Sequence, residues 1–170
     1  DMLVEIEPLG SDEAEIVWEW HFWDHLIQNF DSNLQNYGEI SENPQRLNVN
    51  CITSAGGQNG EEEGIRDWNH CNSVSYNSIY DQIVISARHM NEFYVIDHST
   101  TIEESSSHSG GDYGKGGDFL YRWGSPLNYG RGDSSNQILS AQHGVNWIPS
   151  GYPGEGNFIL FNNKHIIPSK

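Results

Sequence analysis

Residues 70–99, HCNSVSYNSIYDQIVISARHMNEFYVIDHS, decide the fold. Three short runs within them, NSVSY, DQIVISAR and EFYVIDHS, combine β-branched and aromatic residues, which are typical of strands. The dipeptide Asn77-Ser78 and the segment His89-Met90-Asn91 separate these runs, and both contain residues that favour turns. The stretch therefore predicts three successive short strands joined by tight turns.

The strand pattern continues on both sides of this segment. In residues 13–20, EAEIVWEW, the side chains of Ile16, Trp18 and Trp20 would share one face of a strand. Further strands are predicted in residues 118–123, 143–149 and 157–163, which read DFLYRW, HGVNWIP and NFILFNN.

Two segments near the N-terminus depart from this pattern. In residues 21–30, HFWDHLIQNF, the spacing of the apolar side chains predicts a short helix. Residues 31–66 are polar and rich in Asn, and they predict a long loop insertion.

The chain contains an internal repeat. Residues 67–86, DWNHCNSVSYNSIYDQIVIS, resemble residues 140–161, SAQHGVNWIPSGYPGEGNFILF, so that His70 matches His143. EIVWEW and DFLYRW form a second matching pair, each upstream of its histidine segment. Strand units that recur in this way are typical of propeller blades, with a β-sandwich as the alternative.

The length of the chain limits how much of a propeller it can form. A blade takes about 40–50 residues, so 170 residues hold about two to three blades and cannot close a ring. We therefore expect an all-β, partial β-propeller over residues 1–170, as one domain and a fragment of a longer chain.

The composition excludes several classes of partner. With 24 acidic and 8 basic residues, the formal net charge is −16, and the chain lacks the clustered Lys and Arg that nucleic acids or anionic membranes require. No run of about 18 apolar residues occurs, so no membrane span is expected. Cys51 and Cys71 are too few for a disulfide framework, and their spacing leaves open both one bridge and two free thiols.

Two histidines raise the question of a metal site. His21 and His25 lie four residues apart in the predicted helix, which would place both imidazoles on one face, as a metal site requires. The glutamate and the third ligand of a zinc hydrolase are absent from this pattern. We therefore expect no metal and no other cofactor.

Four other polar residues stand at the starts or ends of predicted strands. His70 and Asn72 are two residues apart and would point to the same side of a strand, Arg88 ends the next strand, and His143 begins the matching strand of the second repeat. Imidazole, amide and guanidinium groups all bind tetrahedral oxyanions. Any one of these side chains could simply cap a turn, but their matching positions together predict an anion site.

Long ordered motifs carry a family resemblance. They are WEWHFWDH (18–25), DWNHCNSVSYNSIYDQIVISARHMNEFYVIDHSTT (67–101), GGDYGKGGDFLYRWGSP (110–126) and SAQHGVNWIPSGYPGEGNFILFNN (140–163). From about Glu15 to Asn163, the chain resembles the bacterial arylsulfate sulfotransferases. Members of that family are six-bladed propellers that are longer than this chain, and they are periplasmic or secreted.

The resemblance also implies a reaction and the residues that perform it. An aryl sulfate ester would pass its sulfuryl group to a histidine and then to a phenol, without a nucleotide sulfate donor. By position, His143 matches the nucleophilic histidine, His70 and Asn72 match the paired oxyanion-binding residues, and Arg88 matches the family arginine. A further active-site histidine would bind substrate, and its counterpart here is either His21 or His25.

One departure from the family pattern keeps alternatives open. Relatives usually have Asp after the nucleophilic histidine, whereas this chain has Gly144. A non-catalytic propeller that binds a ligand is therefore one alternative to the enzyme. A structural subunit of an extracellular assembly, self-associating through open sheet edges, is another.

Overall fold

A computed structural model describes residues 1–51 and 67–163. Its strands are β1 (Met2–Pro8), β2 (Ala14–His21), β3 (Leu26–Ile27), β4 (Leu47–Asn48), β5 (Cys71–Asn77), β6 (Gln82–Ala87), β7 (Glu92–Asp97), β8 (Tyr121–Trp123), β9 (His143–Trp147) and β10 (Phe158–Phe161). Within these ranges, one short α-helix, α1, spans Ile102–Ser105, and 3₁₀ helices span Phe22–His25, Ile40–Glu42, Pro126–Tyr129 and Ser134–Asn136. In these two ranges no helix has the length and apolar character needed to cross a bilayer.

The central element is an antiparallel sheet of four strands in the order β5-β6-β7-β8. The two turns span residues 78–81 and 88–91, within a few residues of the predicted positions, and each contains a polar residue in the left-handed conformation, Asp81 with φ +48° and Asn91 with φ +54°. Asp and Asn tolerate this conformation better than most residues, which favours tight connections here. The three predicted strands are confirmed, and the first turn begins after Asn77 and includes Asp81, which the sequence assigned to the next strand.

Both faces of the central sheet are covered. Alternate residues of β6 and β7 belong to different cores: Ile83, Ile85, Tyr94 and Ile96 pack with Trp18 and Trp20 of β2, whereas Val84, Phe93 and Val95 pack with Val145 and Trp147 of β9. Side chains along a strand alternate between its two faces, so two consecutive apolar runs supply two cores. Burial of each large apolar side chain contributes roughly 1.5–3 kcal/mol.

Two smaller sheets flank the central one. β1 and β2 form one antiparallel pair, and β9 and β10 form another. The strands matched in the sequence repeat have equivalent neighbours. In one matched pair, β5 and β9, each strand pairs with the strand that follows it. In the other, β2 and β8, each pairs with the strand that precedes it. The structure is mostly β, as predicted. No sheet closes on itself within the described ranges, so the propeller remains a prediction.

The segment predicted as a helix over residues 21–30 differs from the prediction. Only Phe22–His25 is helical, as a 3₁₀ turn, and Leu26 and Ile27 form β3, which pairs in parallel with β4. The apolar side chains of β3 are buried by this long-range pairing, which the local spacing did not reveal. His21 consequently ends a strand and His25 ends a 3₁₀ turn, so the two do not share a helix face.

The described part of the predicted insertion contains regular structure. Residues 31–51 include the 3₁₀ helix Ile40–Glu42 and strand β4, whose Leu47 is fully buried. The remainder, residues 52–66, lies outside the described residues.

The two cysteines are unbridged. Cys51 is buried in the core that contains Trp18 and Trp20, and Cys71 packs against the same core. Burial raises the pKa of both thiols to about 12. Both side chains are therefore protonated, apolar parts of the packing at neutral pH.

Candidate functional site

Strands β5 and β9 begin side by side at one edge of the structure. The amide Nδ2 of Asn72 donates to the backbone oxygen of Gln142 over 2.8 Å, and the amide of Val145 donates to the hydroxyl of Ser73 over 3.0 Å. Because Gln142 immediately precedes His143, these bonds bring the start of the second repeat to the start of the first.

Gln142 anchors this junction. Its side chain is fully buried, and Nε2 donates to the hydroxyl of Ser86 and to the backbone oxygens of Ala87 and Glu92. These contacts reach the end of β6 and the start of β7. The backbone beside His143 is therefore held by the central sheet, and the site rests on packed strands and not on a free loop.

His143 is half-buried, and its Nδ1 atom faces two polar groups. The backbone oxygen of Ala141 lies 3.0 Å away, and the side-chain Nδ2 of Asn163 lies 2.8 Å away. Asn163 also contacts the Ala141 oxygen. A proton on Nδ1 that is donated to the Ala141 oxygen leaves the lone pair on Nε2, as a nucleophilic imidazole needs, whereas a hydrogen donated by Nδ2 of Asn163 to Nδ1 places the ring proton on Nε2.

The backbone around His143 is unusual on both sides. Ala141 has φ +52°, a conformation that costs a non-glycine residue of the order of 1 kcal/mol, and Asn91 supports it by accepting a 2.8 Å hydrogen bond from its amide. Gly144 has φ +65°, which favours glycine, and a Cβ there would meet no atom within 4 Å. Glycine after the histidine therefore suits the local backbone conformation.

His70 lies immediately before β5 and is oriented by Asp67. Its Nδ1 hydrogen-bonds the Asp67 carboxylate, and its side chain is 40% exposed. Partial burial would raise the pKa of Asp67, but the hydrogen bond and charge of His70, together with His89, hold that pKa below its usual value. An ionised Asp67 thus fixes the ring of His70 and leaves Nε2 directed away from it.

Arg88 lies at the end of β6, opposite the start of β5. Its backbone amide donates to the oxygen of His70 over 3.1 Å. In residues 1–51 and 67–163, its guanidinium makes no hydrogen bond or ion pair. Other arginines in these ranges do have such partners: Arg122 pairs with the buried Glu92, Arg46 pairs with Asp118, and Arg131 donates to the oxygen of Ser41.

The structure therefore brings the four strand-end residues predicted from sequence to one edge. His70 lies immediately before β5 with φ +48°, Asn72 lies within β5, Arg88 follows β6, and His143 begins β9. Sequence reasoning missed Asp67, His89, Gln142 and Asn163, which orient or anchor these residues. The spacing of Asp67 and His70, three positions apart, was the only local signal for any of them.

His25 occupies a different environment. It is fully buried and stacked against Trp20 with 5.3 Å between ring centroids. Its Nδ1 lies 2.8 Å from the carboxylate of Asp118, and its Nε2 lies 2.8 Å from the backbone oxygen of Ser105. Burial alone would raise the pKa of Asp118, but hydrogen bonds from His25 and His108 hold it below its usual value. Both nitrogens of His25 are engaged in structural contacts.

His21, in contrast, lines an open cleft. Its side chain is 36% exposed, and Nε2 lies 3.7 Å from a carboxylate oxygen of Glu19. The cleft also includes Phe22, Trp23 and Asn69. Of the two histidines predicted to bind substrate, only His21 is accessible.

In the part of the chain that the structure describes, two groups of side chains have the spacing that a metal ion needs. In each group the potential ligand atoms lie within 4.8 Å of one another: His25, His108 and Asp118 form one, and Asp67, His70 and His89 form the other. The first group is fully used in hydrogen bonds beside Arg46, whose charge opposes a cation. In the second group, His70 bonds to the carboxylate of Asp67 and His89 bonds to its backbone oxygen, so these hydrogen bonds explain the cluster without a metal ion.

Comparison with known proteins yields one match. The family model described as Arylsulfotransferase (ASST) matches residues 1–170. Searches of the curated proteins and of the solved structures gave no match.

Proposed function

The chain belongs to the arylsulfotransferase family, and we propose on that premise that it transfers a sulfuryl group from an aryl sulfate ester to a phenol through a sulfohistidine at His143. The reaction would need no nucleotide sulfate donor and no cofactor. The observation that carries the proposal is the bond from Asn72 to Gln142, because it joins the edges that bear His70 and His143.

In the first half-reaction, Nε2 of His143 attacks the sulfur atom of the ester. A nitrogen–sulfur bond forms, the bond between sulfur and the phenolic oxygen breaks, and the phenoxide leaves with the electron pair. This step uses the tautomer in which Nδ1 donates to the Ala141 oxygen, because Nε2 then carries the lone pair that attacks. In the second half-reaction, the oxygen of an acceptor phenol displaces His143 from sulfur.

The other strand-end residues would stabilise the charge that develops on the sulfuryl oxygens. Asn72 uses one amide hydrogen for Gln142 and retains a second for an oxygen of the substrate. Arg88 supplies a guanidinium at the same edge, which matches the geometry of a tetrahedral anion. Sulfuryl transfer resembles phosphoryl transfer in depending mainly on positioning and on stabilisation of charge.

His70 is proposed to move the proton. Its Nδ1 is held by Asp67, so Nε2 is the atom available to the leaving phenoxide. A protonated His70 would protonate the leaving oxygen and then accept the proton of the incoming phenol. His21 is retained as a substrate-binding residue, whereas the buried His25 is assigned to the structural core.

The fold and compartment proposed here extend the family assignment. We propose that the central sheet is one blade of a six-bladed propeller and that the flanking strand pairs are parts of adjacent blades. Two cores on opposite faces of one sheet support this arrangement, because each face of a blade packs against a neighbour. A periplasmic or secreted location is proposed from the family resemblance alone.

The proposal is tested with 4-nitrophenyl sulfate as donor and phenol as acceptor. Wild type should release nitrophenolate in proportion to phenol, and mass spectrometry of donor-treated protein should find one added sulfuryl group on the peptide containing His143. His143→Ala should abolish both signals. His108→Ala is the matched control, because His108 is 43% exposed and bonds to Asp118, outside the strand-end site.

Two results would decide against the enzyme. A folded wild-type protein that turns over none of several aryl sulfates would leave a non-catalytic, ligand-binding propeller. Full activity in His143→Ala would assign the nucleophile to another residue.

A further inference from the structure

Two strand pairs each leave one edge without a neighbour. β1 pairs with β2, and β10 pairs with β9, but in residues 1–51 and 67–163 neither β1 nor β10 has a second partner strand. In the central sheet, the two inner strands β6 and β7 pair with each other. The backbone N–H and C=O groups along a free strand edge are available to pair with another strand.

The sequence repeat indicates which strand each free edge lacks. β9 and β10 match β5 and β6, and β2 matches β8. β1 pairs with β2 as β7 pairs with β8, so β1 takes the position of β7. The β9-β10 pair is thus the first half of a four-stranded sheet, and the β1-β2 pair is the second half. The complete order would be β9-β10-β1-β2, with β10 beside β1.

Within one copy of the described chain, the two halves lie on opposite sides of the central sheet. β2 packs on the face that carries Ile83 and Ile85, whereas β9 packs on the face that carries Val84 and Val95. The central sheet therefore separates β1 from β10. A second copy can bring its β1 beside the β10 of the first, through a head-to-tail contact.

A groove beside β1 lies where a β9-β10 pair would fit. Leu3 of β1 and the side chains of Val74 and Tyr76 on β5 line this groove. Val74 and Tyr76 are more than half exposed, although their partners across the sheet, Ile85 and Ile83, are buried. The face that the β1-β2 pair covers over β6 thus continues uncovered over β5, and a second strand pair would complete the cover.

A second groove lies beside β10, on the opposite face of the central sheet. Phe93, Tyr121 and Trp123 of β7 and β8 line it together with Phe158 and Ile159 of β10. The side chains of Tyr121 and Ile159 are exposed. β9 packs against β5 and β6, so this face is open over β7 and β8. The β1-β2 pair of another copy, placed next to β10, would cover it.

The matched positions give the register of this contact on β1. The repeat aligns Glu19 with Arg122. Glu19 pairs with Val4, and Arg122 pairs with Tyr94. Val4 therefore takes the place of Tyr94 in the joined sheet.

The register on β10 follows in the same way. The repeat aligns Asn146 with Ser75. Asn146 pairs with Ile159, and Ser75 pairs with Val84. Ile159 therefore takes the place of Val84.

Together the two registers predict which residues meet. Leu160 follows Ile159 and so takes the place of Ile85, which pairs with Tyr94 in the central sheet. Leu160 of one copy then pairs with Val4 of the next. The contact joins apolar side chains of both copies: Leu160 with Val4, Phe158 with Ile6, and Phe161 with Leu3. Burial of such side chains favours association.

We propose that β10 of one copy pairs with β1 of a second copy, so that the two half-sheets form one four-stranded sheet between two central sheets. This inference rests on the blade arrangement proposed above and not on the chemistry at His143. Each copy supplies one complete blade and two halves, which together equal two blades. Three copies therefore close a six-bladed ring.

The mass of the protein in solution tests this assembly. Size-exclusion chromatography with light scattering should give the mass of three copies, each of 19.2 kDa. The measurement is made at about 0.5 M NaCl, because each copy has a net charge of −16 and salt screens the repulsion between copies. A monomer at all concentrations would overturn the inference, including one whose edges are covered by another segment of the same chain.

Two variants test the direction of the contact. Ile159→Lys places a charge on β10 and leaves β1 intact, whereas Val4→Lys does the reverse; each should be a monomer alone. An equal mixture should form a heterodimer, because one intact β10 meets one intact β1. Phe30→Lys is the matched control and should remain a trimer, since Phe30 is 90% exposed and lies outside both strand pairs. Trimers of either edge variant would overturn the inference, and so would a mixture that remains monomeric.

Disulfide trapping tests the register. Val4→Cys combined with Leu160→Cys should form covalent dimers and trimers on oxidation, because directly opposed residues of an antiparallel pair lie within reach of a disulfide. In the control, Val4→Cys is combined with Ile159→Cys, which points to the opposite face of β10. Equal cross-linking of both proteins, or none in the first, would overturn the pairing of β10 with β1.

The outcomes distinguish this inference from the proposed function. A trimer that transfers no sulfuryl group would support the assembly and refute the enzyme. Sulfuryl transfer by a wild-type monomer would support the enzyme and overturn the assembly.

Discussion

The side chain of Asn72 holds the backbone carbonyl of Gln142 through a hydrogen bond of 2.8 Å. The two residues are 70 positions apart. Asn72 lies two positions after His70, and Gln142 immediately precedes His143. Asn72 therefore has two proposed roles, to connect β5 with β9 and to present its remaining amide hydrogen to the sulfuryl group.

Asn72→Ala should reduce kcat/KM for 4-nitrophenyl sulfate about 100-fold, which is typical for loss of one donor to an anionic transition state. The free energy of unfolding should fall by only about 1 kcal/mol, the usual value of one hydrogen bond. Steady-state kinetics and urea unfolding measure the two effects. Asn146→Ala is the control, because Asn146 lies on the same strand as His143 and its side chain donates to the backbone oxygen of Gly144. A stability loss with full activity would restrict Asn72 to connecting the strands.

His25→Ala should lower the free energy of unfolding by about 3 kcal/mol. The substitution leaves a cavity beside Trp20 and removes a buried partner of Asp118. His108→Ala removes an exposed partner of the same carboxylate and should cost about 1 kcal/mol or less. Chemical denaturation of both variants provides the comparison. Equal losses would mean that burial of the His25 ring contributes little.

Stability should depend on pH through His98. Its Nδ1 lies 2.7 Å from Asp81, and its Nε2 lies 2.9 Å from Glu5, so the ring connects β1 to the turn after β5. Partial burial lowers the pKa of His98, but its bonds to Asp81 and Glu5 outweigh burial and raise that pKa above 6.5. The stabilisation is therefore fully present below pH 6.5 and is lost as pH rises through the higher folded-state pKa.

Urea unfolding at pH 6 and pH 9 tests this dependence. From pH 6 to pH 9, the free energy of unfolding of wild type should fall by about 1 kcal/mol more than that of His98→Gln. The same pH dependence in both proteins would assign the effect to other groups.

Gly144→Ala should cost about 1 kcal/mol of stability. The Cβ has open space, so the cost comes from the positive φ alone. Gly124→Ala should cost several times more, because Gly124 has φ +141° and its Cβ would also collide with the backbone oxygen of Asn91. Thermal unfolding of the two variants ranks them. No loss in Gly144→Ala would show that the strand start adapts to a side chain.

Cys51 and Cys71 should react slowly with iodoacetamide at pH 8 in the native protein. Their pKa of about 12, against an ordinary value of 9.0, lowers the thiolate fraction on the order of a thousandfold. Labelling in urea should be fast, since unfolding removes the burial. Fast native labelling of either residue would contradict its burial.

Part of the site could be predicted from the sequence because its residues stand at strand ends. His70, Asn72, Arg88 and His143 follow directly from where the apolar runs begin and stop, and a strand end carries its side chains to an edge of the sheet. The roles of His21 and His25 could not be separated in this way. Their spacing suggested one helix face, whereas the pairing of β3 with β4 ended the helix after one turn.

The sequence by itself determined the strands and the approximate positions of their turns, because strand and turn propensities act between residues close in the chain. Only the tertiary structure decided which polar groups meet. Asp118 reaches His25 across 93 positions, and Gln142 reaches Glu92 across 50. These contacts form only when the sheets pack together. Packing depends on the apolar surface that the whole chain buries, which a local sequence pattern does not show.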